Sequence, residues 1–105
     1  MSRALESLIS LRSMMHAAQI RAARGLLNWR QDELARHARI ATATIQRIEK
    51  TDGPVMGNVS TQLKIQQALE RAGIRFIEAD ASGGIGVRLE SAFVKRRGKR
   101  RAKGP

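Results

Sequence analysis

The feature that most restricts the fold is a pair of short amphipathic segments separated by three residues. Residues 31–38 (QDELARHA) place three apolar side chains on one helical face, namely Leu34, Ala35 and Ala38. Residues 42–50 (TATIQRIEK) place Ile45 and Ile48 on a second apolar stripe, and residues 51–54 (TDGP) end this segment. The pattern predicts two short helices, each with an apolar face turned inward.

Further helices are predicted on both sides of this pair. Residues 16–27 repeat apolar side chains at helical spacing, and Asn28 ends the segment because Asn tolerates left-handed backbone. Residues 60–72 begin at Ser60, a favourable N-cap. Residues 3–14 are also amphipathic and could extend the core, take part in dimerisation or lie partly ordered. The expected buried residues of 16–27 and 60–72 are Ile20, Ala23, Leu27, Ile65, Ala68, Leu69 and Ala72.

The period changes after Gly73. Residues 74–79 (IRFIEA) and 85–90 (IGVRLE) are typical of strands, and residues 80–84 (DASGG) of the turn between them. Phe76 and Ile77 are adjacent, so each face of the first strand carries an apolar side chain. Since an isolated two-stranded hairpin is marginal in water, we expect one face to pack on the helices and the other to meet a partner, most simply a second copy.

Positive charge is concentrated at one end of the chain. The sequence has 20 Lys and Arg against nine Asp and Glu, a net charge of +11. Residues 95–103 (KRRGKRRAK) hold seven of these positive charges and no acid, which leaves 13 basic against nine acidic residues, or +4, for residues 1–94. This excess favours nucleic acid as a partner, and the composition of residues 92–105 predicts a disordered basic tail.

Several classes of protein are disfavoured. The chain has no cysteine, so disulfides and thiolate metal sites are excluded, which suits a reducing cytoplasm. Glu6 and Arg12 interrupt the N-terminal apolar run, so we expect no secretory signal, and nothing approaches the roughly 20 apolar residues of a membrane span. We expect a cytoplasmic, nucleoid-associated protein.

No catalytic or cofactor-binding set is visible. The sequence shows no grouping of Ser, His and acid and no carboxylate pair suited to acid–base chemistry, so we expect neither an enzyme nor a cofactor. His16 and His37 stand alone and are expected at the surface without a metal, whereas Trp29 is expected to pack on the core. Residues 82–86 (SGGIG) lack the helix or lysine of a phosphate loop and fit a hairpin turn.

The segment 42–50 carries the chemistry that points to a function. Opposite its isoleucines, an outer face without any acid combines five residues: Thr42, Ala43, Gln46, Arg47 and Lys50. An amide and a guanidinium can each form two hydrogen bonds to the edges of adenine and guanine, and a lysine suits a phosphate. Two short helices joined by about three residues predict a helix-turn-helix, whose second helix can enter the DNA major groove.

The stretch QDELARHARIATATIQRIEK resembles the helix-turn-helix of the Xre/Cro/C1-repressor family. The resemblance runs from about residue 16 to residue 69, and the matching residues are Gln31, Glu33, Leu34, Ala35, Ala38, Thr44, Ile45, Arg47, Ile48 and Glu49. It implies a mostly α, lambda-repressor-like bundle of four or five helices with a C-terminal β-hairpin. It also implies that Gln31 contacts the DNA backbone, that Arg24 pairs with Glu49, and that bases are read by Thr42, Ala43, Gln46 and Arg47.

Three positions depart from the family pattern. Arg39 stands where the turn usually has Gly, so it needs an uncommon backbone conformation or a slightly different turn. Arg30 and Ala41 occupy the usual polar cap positions, and Ala41 cannot cap, which costs about 1 kcal/mol relative to Ser. In compensation, Arg30 and Arg39 add positive charge, so the expected phosphate contacts are Gln31, Arg30, Arg39 and Lys50.

The sequence therefore predicts four parts: an N-terminal amphipathic helix (1–15), a DNA-binding domain (16–72), a β-hairpin that serves as a dimerisation element (73–91) and a basic tail (92–105). The expected function is a homodimeric, sequence-specific transcriptional regulator of double-stranded DNA. Two alternatives remain open: an antitoxin-like protein whose hairpin binds a partner protein and which regulates its own operon, and a non-specific nucleic-acid-binding protein that depends on the tail.

Overall fold

The computed structural model describes residues 15–90, which form four helices followed by a two-stranded antiparallel sheet. The mostly helical fold class with a C-terminal hairpin is thereby confirmed. The predicted helix at 3–14 and the basic tail lie outside the described residues. The elements are α1 (Ala17–Leu27), α2 (Gln31–Ala38), α3 (Thr42–Glu49), α4 (Val59–Arg71), β1 (Ile74–Ile77) and β2 (Gly86–Leu89).

The end of α1 and the start of α4 are each set by an asparagine. Asn28 ends α1 in the left-handed conformation, with φ of 60°, as its residue type predicts. The predicted N-cap of α4 was wrong: Asn58, not Ser60, caps this helix, because its Oδ1 accepts a hydrogen bond of 3.0 Å from the Thr61 amide. Helix α4 therefore starts one residue earlier than predicted, at Val59.

One apolar core joins the four helices and the sheet. Helix α2 packs against α3 and α4, α1 packs against α3 and β2, and α4 packs against β1. The predicted core residues are buried, except that Ala72 is half-buried. The sequence analysis did not single out Val55, which is 1% exposed and lies in the loop between α3 and α4. The Val55 amide donates to the Met15 carbonyl (2.8 Å), so this loop is tied to the start of α1.

The hairpin is fastened to α1 by a buried amide. Gln19 is 6% exposed, and its Nε2 donates to the carbonyl oxygens of Gly86 (2.9 Å) and Ile77 (3.3 Å), one on each strand. In the turn, the Asp80 carboxylate accepts hydrogen bonds from the Oγ and the amide of Ser82, and these hold the pKa of Asp80 below its usual range. The hairpin thus has both a tertiary anchor and a locally stabilised turn.

The two faces of the hairpin differ in polarity. Ile74 pairs with Leu89 and Phe76 with Val87, and these side chains pack on the core. The opposite face carries Ile77, but it also places Arg75 directly across from Arg88. Both faces carry an apolar side chain as predicted, although two arginines share the outer one.

A cleft of about 640 Å³ runs along β1. Its lining combines apolar residues of β1 and its surroundings with polar ones, which include Arg75 and three carboxylates, those of Glu70, Glu78 and Glu90. His16 also lines this cleft and is half-buried, so it is less exposed than a surface position implies, whereas His37 is exposed as expected. Among residues 15–90, no helix is both long enough and apolar enough to cross a membrane.

Candidate nucleic-acid interface

The connection between α2 and α3 is short and has an unusual backbone. Arg39 ends α2 in the left-handed conformation (φ 61°, ψ 48°), as the sequence predicts for an arginine in a position that favours glycine. Its amide donates to the Ala35 and Arg36 carbonyls, and the Ile40 amide donates to the Ala35 carbonyl at 3.0 Å. Three residues thus end α2, turn the chain and begin α3.

Helix α3 begins without a side-chain cap. Ala41 holds the N-cap position, and no side-chain hydrogen bond is made there, as its methyl side chain requires. At the start of α2, Arg30 also lacks a side-chain cap, but the Glu33 carboxylate accepts a hydrogen bond of 2.8 Å from the Arg30 amide. Helix α3 therefore depends on packing rather than on capping.

The two sides of α3 have opposite environments. Ile45 is fully buried and Ile48 is 8% exposed. The α3 outer face consists of Thr42, Ala43, Gln46, Arg47 and Lys50, of which Thr42 is half-buried and the other four are exposed. The residues predicted to read bases therefore lie together, on the surface of one rigid helix.

The cations predicted to contact phosphate lie around this face, with different local partners. Arg30 forms an exposed ion pair with Asp32, with an Nε–Oδ1 distance of 3.2 Å. Arg39, Arg47 and Lys50 are exposed and take part in none of the ion pairs found within residues 15–90. Their positive charge is therefore not neutralised by a contacting carboxylate of the described chain.

A buried ion pair sets the end of α3 against α1. Glu49 is 6% exposed, and its Oε2 and Oε1 accept hydrogen bonds from Nε (2.7 Å) and Nη2 (2.8 Å) of Arg24. These hydrogen bonds and the charge of Glu49 raise the pKa of Arg24 above its ordinary value despite partial burial. The pairing implied by the family resemblance is present, in the two-pronged geometry that arginine favours.

Two more side chains converge on Glu49. Gln31 was predicted to contact the DNA backbone; its Nε2 donates to Glu49 Oε1 at 3.1 Å, so the first residue of α2 is tied to the last residue of α3. Arg21, which sequence reasoning missed, donates to the Glu49 carbonyl oxygen. The contact crosses 28 residues of chain, so the only sign of it in the sequence was that Arg21 lies three residues before Arg24 on α1 and therefore on the same side of the helix.

Trp29 and the potential metal ligands lie outside the α3 outer face. Trp29 packs against the core, as expected, and its ring stacks on His37 at a centroid distance of 4.2 Å. Within residues 15–90, no three His, Asp or Glu side chains are grouped so that they could hold a metal ion.

The ion pair yields a prediction for stability. In Arg24→Met, Glu49 loses its counter-ion while its side chain remains 4% exposed, so the free energy of unfolding should fall by about 3 kcal/mol. Urea unfolding followed by circular dichroism measures the loss.

The matched control is Asp32→Asn, which breaks the ion pair with Arg30, whose side chains are 79% and 55% exposed. This change should cost less than about 1 kcal/mol, because exposed pairs contribute little. Equal losses in the two variants would show that the Arg24–Glu49 ion pair stabilises the fold no more than an exposed pair does.

Comparison with known proteins gives no further guide to function. No protein-family model matches the chain, and no curated protein matches it. The inference about function therefore depends on the surface of α3 and on its surroundings.

Proposed function

We propose that the chain is a sequence-specific double-stranded DNA-binding protein of the helix-turn-helix type, similar to Xre/Cro/C1 repressors, that regulates transcription. The observation that carries the proposal is the division of α3: its isoleucines are buried, while Gln46, Arg47 and Lys50 are exposed without a neighbouring acid on that face. An α-helix with such a polar face fits the major groove, which is about 12 Å wide.

Each residue of the α3 outer face has a role in the proposed complex. Arg47 and Gln46 form paired hydrogen bonds with guanine and adenine edges, the two contacts that best distinguish bases. Thr42 and Ala43 are small, so the helix can approach the groove closely and contact a thymine methyl group. Lys50 binds a phosphate at the far end of the helix.

The phosphate contacts fix the helix in the groove. In the proposed complex Arg30, Gln31 and Arg39 bind the backbone on either side of α3, where they set its register but do not read sequence. Gln31 is already held by Glu49, so this contact is pre-oriented relative to the α3 outer face.

Sequence preference and general affinity should respond to different changes. Arg47→Ala should reduce the binding free energy by roughly 1–3 kcal/mol on a site obtained by selection from random duplexes, and it should relax the preference at one base pair.

Truncation after Val94 removes seven cations, so it should weaken binding to all duplexes and flatten the dependence of log Kd on log salt. Fluorescence anisotropy with selected and random duplexes measures both.

The control for Arg47 is Arg36→Ala, another exposed arginine, which lies on α2 and is not among the proposed DNA contacts. It should leave the sequence preference unchanged. If Arg47→Ala and the truncation behaved alike, or if the intact chain bound selected and random duplexes equally, a non-specific protein that depends on the tail would be the better description.

Arg39 offers a variant whose stability and affinity should move in opposite directions. In Arg39→Gly, the strain of a left-handed arginine (φ 61°) disappears, and the unfolding free energy should rise by up to about 1 kcal/mol. The same variant loses a proposed phosphate contact, so its affinity for DNA should fall. Thermal unfolding and a binding titration on the same preparation test this, and unchanged affinity would remove Arg39 from the interface.

The regulator is proposed to act as a homodimer, because a single α3 covers only a short site. Two copies would place their third helices about 34 Å apart, one turn of DNA, and would read a pseudo-palindrome. Ile77 on the outer face of the hairpin and the cleft along β1 are the surfaces available for this contact. Sedimentation should show a dimer at micromolar concentration, and monomer alone would refute this part of the proposal.

The same cleft favours a second candidate function. Its apolar lining, with Phe76, Ile77 and the exposed Ile85, could hold a segment of another protein, as in an antitoxin-like partner that also binds its own operator. Purification of the chain with a fixed second protein, encoded by a neighbouring reading frame, would favour this function over the homodimer.

A further inference from the structure

A second basic surface lies outside the α3 outer face. Three cations, Arg39, Lys64 and Arg71, line a shallow concavity of about 540 Å³ where the end of α2 meets α4. Lys64, Gln67 and Arg71 follow one another at i, i+3 and i+7, so they form one exposed stripe along α4. We call Arg39, Lys64 and Arg71 the α2–α4 basic patch.

The positive charge of this patch exceeds what the fold requires. The carboxyl end of α2 attracts a cation, and Arg71 supplies one, since its Nη2 donates to the His37 carbonyl at 3.3 Å. The lining contains no acid, and none of the ion pairs within residues 15–90 involves a cation of the patch. Lys64 and Arg39 are therefore additional charges, and their mutual repulsion would be relieved by an external anion.

The shape of the patch indicates an extended anion. Lys64 and Arg71 are separated by about 10 Å along the helix axis, which corresponds to about three base-pair steps of one DNA strand. A site for a single phosphate would need its donors to converge on one point, whereas Lys64 and Arg71 lie about two helical turns apart on the exposed side of α4. A linear polyanion fits this arrangement best.

We propose that the α2–α4 basic patch binds the sugar-phosphate backbone of the same duplex, outside the base pairs that α3 contacts. Arg39 connects the patch to α3 along the chain, because it lines the patch and precedes Thr42, the first residue of α3, by three positions. The proposal rests on the proposed DNA-binding function and adds to it a flanking contact with no sequence preference. Lys64 and Arg71 thereby become phosphate-binding residues.

The test compares two variants that each remove two positive charges. Lys64→Gln/Arg71→Gln changes the patch, and Arg75→Gln/Arg88→Gln changes the outer face of the hairpin in the full-length chain. Since that face is also proposed for dimerisation, sedimentation first establishes that both variants keep the oligomeric state of the wild type. Affinity is measured over a range of salt concentrations on two duplexes. One is the shortest selected site that still distinguishes Arg47→Ala from the wild type, and the other is this site extended by about one helical turn, about 10 base pairs, on each side.

On the extended duplex, the patch variant should show a salt slope shallower than the wild type by about 2, because each lost phosphate contact contributes about 0.9. On the short duplex its slope should match that of the wild type. The hairpin variant should keep the wild-type gain in affinity on extension. Equal slopes for the two variants on the extended duplex, or an equal change for the patch variant on both duplexes, would overturn the proposal.

The single variant Lys64→Gln tests the proposal even if the double variant fails to fold. The Lys64 side chain takes part in no hydrogen bond or ion pair found within residues 15–90, so Lys64→Gln should leave the fold intact and reduce the slope on the extended duplex by about 1. An unchanged slope would again refute the patch. If the wild type showed no sequence preference, the regulator proposal would fail, yet the difference between the patch and hairpin variants could still be measured on any long duplex.

Discussion

The buried carboxylate of Glu49 is the constraint on which the rest of the domain depends. Its oxygens accept hydrogen bonds from Arg24 on α1 and from Gln31 on α2, while Nη1 of Arg24 donates to the Trp29 carbonyl between those helices. A charge this deeply buried is tolerated only when it is fully partnered. The orientation of α3 relative to α1 and α2 is therefore fixed by polar geometry as well as by apolar packing, and the direction of the α3 outer face follows from it.

This arrangement confines the packing contacts to one side of a helix of eight residues and leaves the other side exposed. A helix so short is not stable alone in water, so α3 exists because Ile45, Ile48 and Glu49 hold it to the core. The residues on its other side make no comparable contribution to the fold. In a DNA-binding protein they could change from one target sequence to another at little cost in stability, since packing and base contact involve different residues of the same helix.

Most of the helical architecture could be predicted because its signals are local. The bounds of residues 31–38 were predicted correctly, since the apolar residues of this segment repeat at helical spacing over its whole buried face. Asn58 was missed because Asn58 and Ser60 are both good caps, and only the actual backbone path selects one.

The contacts of Gln19 cross 58 and 67 residues of chain and leave no local pattern. The pairing of Arg24 with Glu49 was anticipated from family resemblance and not from spacing, and the α2–α4 basic patch needed the packing of two separate helices.

The positions of the cations bear on specificity in the proposed complex more than the net charge of +11 does. A base edge is distinguished only by donors held in fixed positions, which helix α3 provides for Arg47. The seven cations of residues 95–103 form a run without hydrophobic periodicity, so in the proposed complex they would add affinity that is independent of sequence and sensitive to salt. Lys64 and Arg71 combine properties of both groups: they belong to a rigid helix, yet in the proposed complex they face phosphates. Such contacts would raise affinity and also restrict the angle at which the domain lies on the duplex, so that the bases within reach of Arg47 are determined partly by residues that never touch a base.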